Sequence, residues 1–145
     1  RSTGNILSVY NHMPSHYFHP IVMEDPMPLY EFGYGLSYTT YEYANLEAGT
    51  FKDNILEVSV DVTNTGSRAG EEVVLLFMRD DYASRTRPVK ELKAFTRVSL
   101  APGETKTIKL HVDQEQLKFW KDGQWIVEPG TFTIMVDKLF DTVTL

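Results

Sequence analysis

From residue 55 onward, apolar and polar positions alternate in short stretches that turn residues interrupt. Leu56, Val58, Val60 and Val62 alternate with Glu57, Ser59, Asp61 and Thr63, the period-two signature of a strand with one buried face. Asn64-Thr65-Gly66 supplies turn chemistry directly after it. Val73 to Met78 is an unbroken apolar run, which predicts a strand covered on both faces. Leu92, Ala94, Thr96, Val98 and Leu100 again alternate with more polar neighbours up to a turn at Ala101-Pro102-Gly103-Glu104. Ile108, Leu110 and Val112 form the next inward row, and Asp113 with Gln116 has the spacing of a capping box for one short helical turn. Lys121-Asp122-Gly123 between aromatic-rich stretches predicts a tight hairpin, and Glu128-Pro129-Gly130 leads into Phe132, Ile134 and Val136. The pattern predicts an all-β fold of about seven short strands, without a long amphipathic helix.

The N-terminal third is different. Residues 1–43 hold nine of the sixteen Tyr and Phe, four of the seven prolines, three of the four histidines and no lysine. Prolines at 14, 20, 26 and 28 exclude long helices and central strands there. The expected organisation is an irregular, extended, aromatic-rich wrapper over residues 1–38, with a first strand near Thr39–Leu46. Residues 39–145 then form an immunoglobulin- or fibronectin type III-like antiparallel β-sandwich. Between Pro28 and Tyr43 lie five tyrosines, one phenylalanine and two glycines in sixteen positions. Gly33 and Gly35 permit positive φ and close backbone approach, while the rings carry a large apolar area with a polar tip. Such a segment needs a surface, whether on the sandwich, a sugar or another domain. The Val73–Met78 run, with no wet face, makes the same demand.

Charge and composition narrow the function. The chain has 145 residues, 42% hydrophobic and 23% charged, the profile of one globular domain. A net charge of −6 argues against nucleic acid, whose phosphates require clustered Lys and Arg. No stretch reaches the ~18 apolar residues of a membrane span, and the absence of cysteine removes thiolate chemistry. The first residue is not Met, so the chain reads as a piece of something longer.

Candidate chemistry is sparse. His12, His16 and His19, followed by Glu24 and Asp25, have no tight ligand spacing and read as polar contacts in a docking loop rather than a metal site. No metal or other cofactor is expected. Glu24/Asp25, Glu71/Glu72 and Asp80/Asp81 are adjacent pairs; neighbours in a strand point to opposite faces, so they cannot flank one substrate as acid and base. Gly33-Tyr34-Gly35 lacks the following helix of a phosphate loop, and no Gly-x-Ser-x-Gly elbow occurs. Trp120 and Trp125 flank the hairpin and could stack on a sugar, although half-buried packing is the preferred reading. Arg85, Arg87, Lys90 and Lys93 form a basic patch best explained by pairing with nearby acids.

Several ordered motifs share one resemblance. Pro28-Leu29-Tyr30-Glu31-Phe32-Gly33-Tyr34-Gly35-Leu36-Ser37-Tyr38-Thr39 resembles the P-L-Y-P-F-G-Y-G-L-S-Y-T segment of glycoside hydrolase family 3 enzymes, departing at Glu31. Val62-Thr63-Asn64-Thr65-Gly66 through Gly70-Glu71-Glu72-Val73 resembles a V-x-N-T-G-x-x-x-G-x-E-V stretch of the same proteins. Arg87 to Phe95, Leu100 to Thr105, and Trp125 to Phe132 complete the set. The resemblance implies the C-terminal fibronectin type III-like domain of a β-glucosidase-like enzyme that cleaves terminal β-linked sugars with retention, using an Asp nucleophile and a Glu acid/base. In the family the nucleophile lies in a Ser-Asp-Trp context on a separate barrel domain; no Ser-Asp-Trp occurs here. The chain alone is therefore expected to carry no catalytic or substrate-binding residue.

The resemblance implies a structural role, with the catalytic domains of the same parent polypeptide as partner and Tyr30, Phe32, Tyr34, Leu36 and Tyr38 as the interdomain contact set. Neither nucleic acid nor membrane is expected as a partner, and direct sugar contact is the weaker reading. It also favours a periplasmic or secreted location. The rivals are a carbohydrate-binding module using Tyr and Trp faces, and a protein–protein adhesion domain.

Overall fold

The computed structural model of the protein describes Tyr30 and residues 33–145. Nine strands follow in order: β1 (Tyr41–Ala48), β2 (Ile55–Asn64), β3 (Gly70–Asp80), β4 (Glu91–Leu100), β5 (Thr105–Asp113), β6 (Phe119–Lys121), β7 (Gln124–Ile126), β8 (Thr131–Val136) and β9 (Leu139–Thr144). One 3₁₀ turn over Gln114–Leu117 separates β5 from β6. Its capping box forms as the sequence predicts: Glu115 N–H donates to Asp113 Oδ1 at 2.9 Å and Asp113 N–H to Gln116 Oε1 at 3.2 Å. Among the described residues no helix is long and apolar enough to cross a membrane.

The strands form a three-stranded sheet in the order β1-β2-β5 and a four-stranded sheet in the order β4-β3-β8-β9, with β6 and β7 as a separate hairpin. All pairings are antiparallel. The inward faces meet in one core. Leu56, Val58, Val60 and Val62 of β2 are fully buried, as are Val74, Leu76 and Met78 of β3 and Ile134 and Val136 of β8. Each such side chain contributes about 1.5–3 kcal/mol relative to exposure, so this alternation holds the two sheets together.

Seven strands make the sandwich, as expected, but not the seven the alternation picks out. The Trp120–Trp125 stretch is a hairpin outside both sheets, and β9 supplies the remaining sandwich strand. Its pattern is obscured because Phe140 lies opposite Met135 on the outer face while Asp141 lies opposite Ile134 on the inner side. There the Asp141 carboxylate accepts from Ala48 N–H at 2.8 Å, linking β9 to β1 across the sheets. The first strand also starts later than Thr39, at Tyr41, because Thr39 and Thr40 are engaged with the loop after β2.

Two register shifts shape the edges. In β1 the pairing jumps between Ala44 and Glu47, where Asn45 takes φ 52° and its amide donates to Asp61 Oδ2 at 2.8 Å. In β3–β4 the shift falls between Leu76 and Phe77; the extra residue, Lys93, donates to Glu91 Oε2 and to the Gln116 carbonyl, both at 2.7 Å. Bulges of this kind twist and blunt an edge.

Candidate interdomain surface

The aromatic segment ends in a latch centred on Asn64. This side chain is fully buried, and all of its hydrogen-bonding groups are used. Oδ1 accepts from Thr39 Oγ1 at 2.7 Å and from Gly66 N–H at 3.1 Å. Nδ2 donates to the carbonyls of Arg68 at 2.8 Å and Leu100 at 3.1 Å. The Thr65 N–H donates to the Thr40 carbonyl at 2.9 Å, and the two threonine hydroxyls lie 2.8 Å apart. The chain crosses so closely that a Cβ at Gly66 would collide with Thr39 Oγ1, and one at Gly70 would meet the Tyr41 hydroxyl and Thr39 Cγ2. The spacing Asn64, Gly66, Gly70 therefore has a physical cause: one residue bonds the incoming segment and two make room for it.

A second fixed point lies upstream at Gly33. Its φ of +88° favours glycine, and a Cβ there would sit 2.7 Å from Leu75 Cδ1. The segment is thus seated on β3 at Gly33 and tied to the β2 loop at Thr39. Between these points the side chains are not folded back onto the sandwich. Leu36 is 92% exposed and Tyr38 94%, and Tyr30 and Tyr34 are also largely exposed, their rings 4.8 Å apart and tilted by 38°. Of the five expected contact residues, Phe32 lies outside the described residues. Tyr34, Leu36 and Tyr38 share one short, outward-facing run between Gly33 and Thr39, and Tyr30 is exposed beside Tyr34.

Gly33 rests on an unusual sheet face. Along the outer side of the four-stranded sheet, Leu75 of β3 lies opposite Phe95 of β4, Phe77 opposite Met135 of β8, and Met135 opposite Phe140 of β9. Phe95 is 69% and Phe140 77% exposed. The expectation that Val73–Met78 is covered on both faces is met only in part: Leu75 and Phe77 are half-buried, while Val73 is exposed. Beside this row Tyr43 donates to Glu72 Oε1 at 3.0 Å. Burial, reinforced by the Glu72 charge, pushes the Tyr43 hydroxyl pKa upward, which keeps it a donor.

The outer face of the three-stranded sheet is the opposite in character. Glu57, Ser59, Asp61 and Thr63 lie opposite His111, Lys109, Thr107 and Thr105. Lys109 Nζ bonds Glu57 at 2.8 Å, Thr107 Oγ1 donates to Asp61 at 2.6 Å, and the Thr63 and Thr105 hydroxyls are 2.8 Å apart. The hydrogen bond from Lys109 lowers the Glu57 pKa, and those from Asn45 and Thr107 lower that of Asp61. This face suits water, whereas the four-stranded face carries exposed Phe95, Phe140 and Val73.

The basic patch and the two acidic pairs among the described residues are engaged within the domain. Arg87 reaches Glu91 at 3.1 Å and lies 5.0 Å above the Phe119 ring; Arg85 pairs with Asp122 at 2.8 Å. Lys93 bonds Glu91, and Lys90 sits 5.0 Å over the Phe77 ring. Burial pushes the Asp80 pKa up, opposed by the nearby Arg87 charge. Glu71 pairs with Arg97 at 2.7 Å and Asp81 with Arg79 at 2.8 Å, so the adjacent acids do serve separate faces. Among the described residues no group of three His, Cys, Asp or Glu could hold a metal; His12, His16, His19, Glu24 and Asp25 lie outside them. Trp120 and Trp125 are 57% and 63% exposed, more open than half-buried packing would give. What sequence reasoning missed is Asn64 as the latch and the row through Phe95 and Phe140. The signals were a polar residue closing an apolar alternation, and a phenylalanine out of phase in β4.

Comparison with known proteins places these features in a larger context. Residues 72–139 match a family described as fibronectin type III-like domain. A periplasmic β-glucosidase of Salmonella typhimurium is 40% identical over 150 residues, covering 94% of this chain and 20% of that protein. A β-xylosidase of Formosa agariphila is 48% identical over 116 residues, covering 77% of this chain and 16% of that protein. Among solved structures, the β-glucosidase EmGH1 of Erythrobacter marinus superposes with a TM-score of 0.84 at 39% identity, over 98% of this chain and 20% of that one. The chain thus spans a fifth or less of the length of these relatives.

Proposed function

From the premise that the chain belongs to the fibronectin type III-like domains of glycoside hydrolase family 3, we propose that it is the non-catalytic domain bracing the catalytic domains of a retaining β-glycosidase. The parent enzyme releases terminal β-linked glucose or xylose through an Asp nucleophile and a Glu acid/base, both supplied outside this chain. The observation that carries the bracing role is the asymmetry of the sandwich. One outer face is polar along paired β2 and β5 from Glu57 to Thr63, while the other presents Phe95, Phe140 and Val73 beside an outward-facing Tyr34-Leu36-Tyr38 run.

Interdomain contacts within one chain commonly bury about 600–1,500 Å², an area compatible with a docked sheet face plus a short aromatic segment. In this reading residues 1–38 connect and pad the junction, and residues 39–145 form the brace. Tyr30, Phe32, Tyr34, Leu36 and Tyr38 make the contact, with Asn64 and Gly33 fixing where they emerge.

The test is replacement of the exposed Tyr34, Leu36 and Tyr38 by serine in the full-length parent, which leaves the latch and β1 intact. The expected result is a lower melting temperature and a lower hydrolysis rate together. An unchanged melting temperature and rate would refute the bracing role.

A further inference from the structure

We propose that the cleft between the 85–87 loop and the β6–β7 hairpin is a binding subsite for a β-linked glucan or xylan chain. Trp120 and Trp125 lie directly opposite each other on β6 and β7, with ring centroids 5.6 Å apart at 71°. The hairpin belongs to neither sheet, yet its base is firmly held. Phe119 is buried beneath the Arg87 guanidinium. Lys121 Nζ donates to Glu128 at 2.8 Å, and Glu128 also receives the Ser84 N–H at 3.0 Å and hydroxyl at 2.6 Å. Two large rings are therefore kept in water on a stiff support, so little ordering cost remains for a ligand.

The cleft measures about 470 Å³ and is walled by Trp120, Phe119, Thr86, Arg85 and Asp122, within the usual size of small-molecule sites. Arg85 and Asp122 pair at 2.8 Å at its mouth, both more than half exposed. This combination selects a chemistry. A β-linked gluco- or xylopyranose presents apolar C–H faces above and below its ring and hydroxyls around its rim. The face suits an indole, and the rim can donate to a carboxylate while accepting from a guanidinium. Because the Arg–Asp pair is neutral, it disfavours a phosphate or other anion, which would call for unpaired cations. The choice of gluco and xylo configurations rests on the proposed parent activity; the site itself rests on Trp120, Arg85 and Asp122.

The test titrates the 145-residue chain with cellohexaose, xylohexaose and maltohexaose, following the two indole N–H signals by NMR. A saturable shift of the Trp120 signal with cellohexaose or xylohexaose is expected, with maltohexaose weaker. Trp120→Ala is expected to weaken binding about tenfold, read from backbone amides of the 85–87 loop, and Arg85→Ala to weaken it while leaving the fold unchanged by circular dichroism. The proposal is overturned by no saturable shift at millimolar sugar, by undiminished binding in Trp120→Ala, or by an equal response to maltohexaose. Burial of both indoles by the parent's catalytic domains would also overturn it. Substitutions at Tyr34 and Tyr38 that undermine bracing leave this titration unchanged, so the two readings fail separately.

Discussion

Asn64 is the residue on which the geometry of the aromatic segment depends most. Replacing it with Ala removes four side-chain hydrogen bonds at a fully buried position and leaves the Leu100 and Arg68 carbonyls short of a donor. Such losses cost about 1–3 kcal/mol per unsatisfied group, partly relieved by water. Asn64→Ala is therefore expected to lower unfolding free energy by about 2–4 kcal/mol in urea titration. Gly66→Ala destabilises by a different route, forcing Thr39 away from the loop, and costs about 1–3 kcal/mol. At Glu128 the hydrogen bonds from Lys121 and Ser84 hold the carboxyl down from 4.5 to about 2. A depressed folded pKa stabilises above the unfolded value and loses that effect as pH falls from 4.5 toward about 2. Glu128→Gln is expected to flatten the decline in urea midpoint across that window; an identical pH profile would count against the network. At this scale the sequence was only partly legible. Asn64-Thr65-Gly66 reads as a turn, but nothing local says that the amide reaches back to Thr39, because that contact spans 25 positions.

At the scale of strands, the buried faces were readable and the outer faces were not. Leu56 to Val62 and Phe132 to Val136 alternate cleanly because one side meets the core and the other meets water. β9 escaped notice because Phe140 and Asp141 occupy the sides opposite to those that polarity suggests: the phenylalanine faces outward, and the carboxylate turns in to bond Ala48 N–H. β4 follows its alternation from Ala94, packed against the core, to Leu100, with Phe95 exposed, but the shift at Lys93 places Leu92 opposite Phe77 on the outer side. These departures coincide with the apolar outer face, which is the docking side in the proposed bracing role. The consequence is measurable in the chain by itself. The pair Phe95→Ser and Phe140→Ser is expected to change unfolding free energy by no more than about 0.5 kcal/mol per site, whereas Leu76→Ala in the core costs about 2–5 kcal/mol. In the full-length parent the serine pair is expected to lower the melting temperature.

For the whole molecule, composition and strand count gave the sandwich, and the motifs gave the family. The orientation proposed for the domain toward its neighbours comes only from the three-dimensional register. A sequence shows that Tyr34, Leu36 and Tyr38 are apolar and adjacent; it does not show that Gly33 and Thr39 hold them away from the core on the side of the four-stranded sheet. The proposed bracing role rests on that orientation. Its most direct test is hydroxyl-radical footprinting of Tyr34, Leu36, Tyr38, Phe95 and Phe140, compared between this chain alone and the full-length parent. Strong protection of these side chains is expected in the parent, with His111 and Lys109 on the polar face equally reactive in both. Equal reactivity of the aromatic set in the two forms would contradict it.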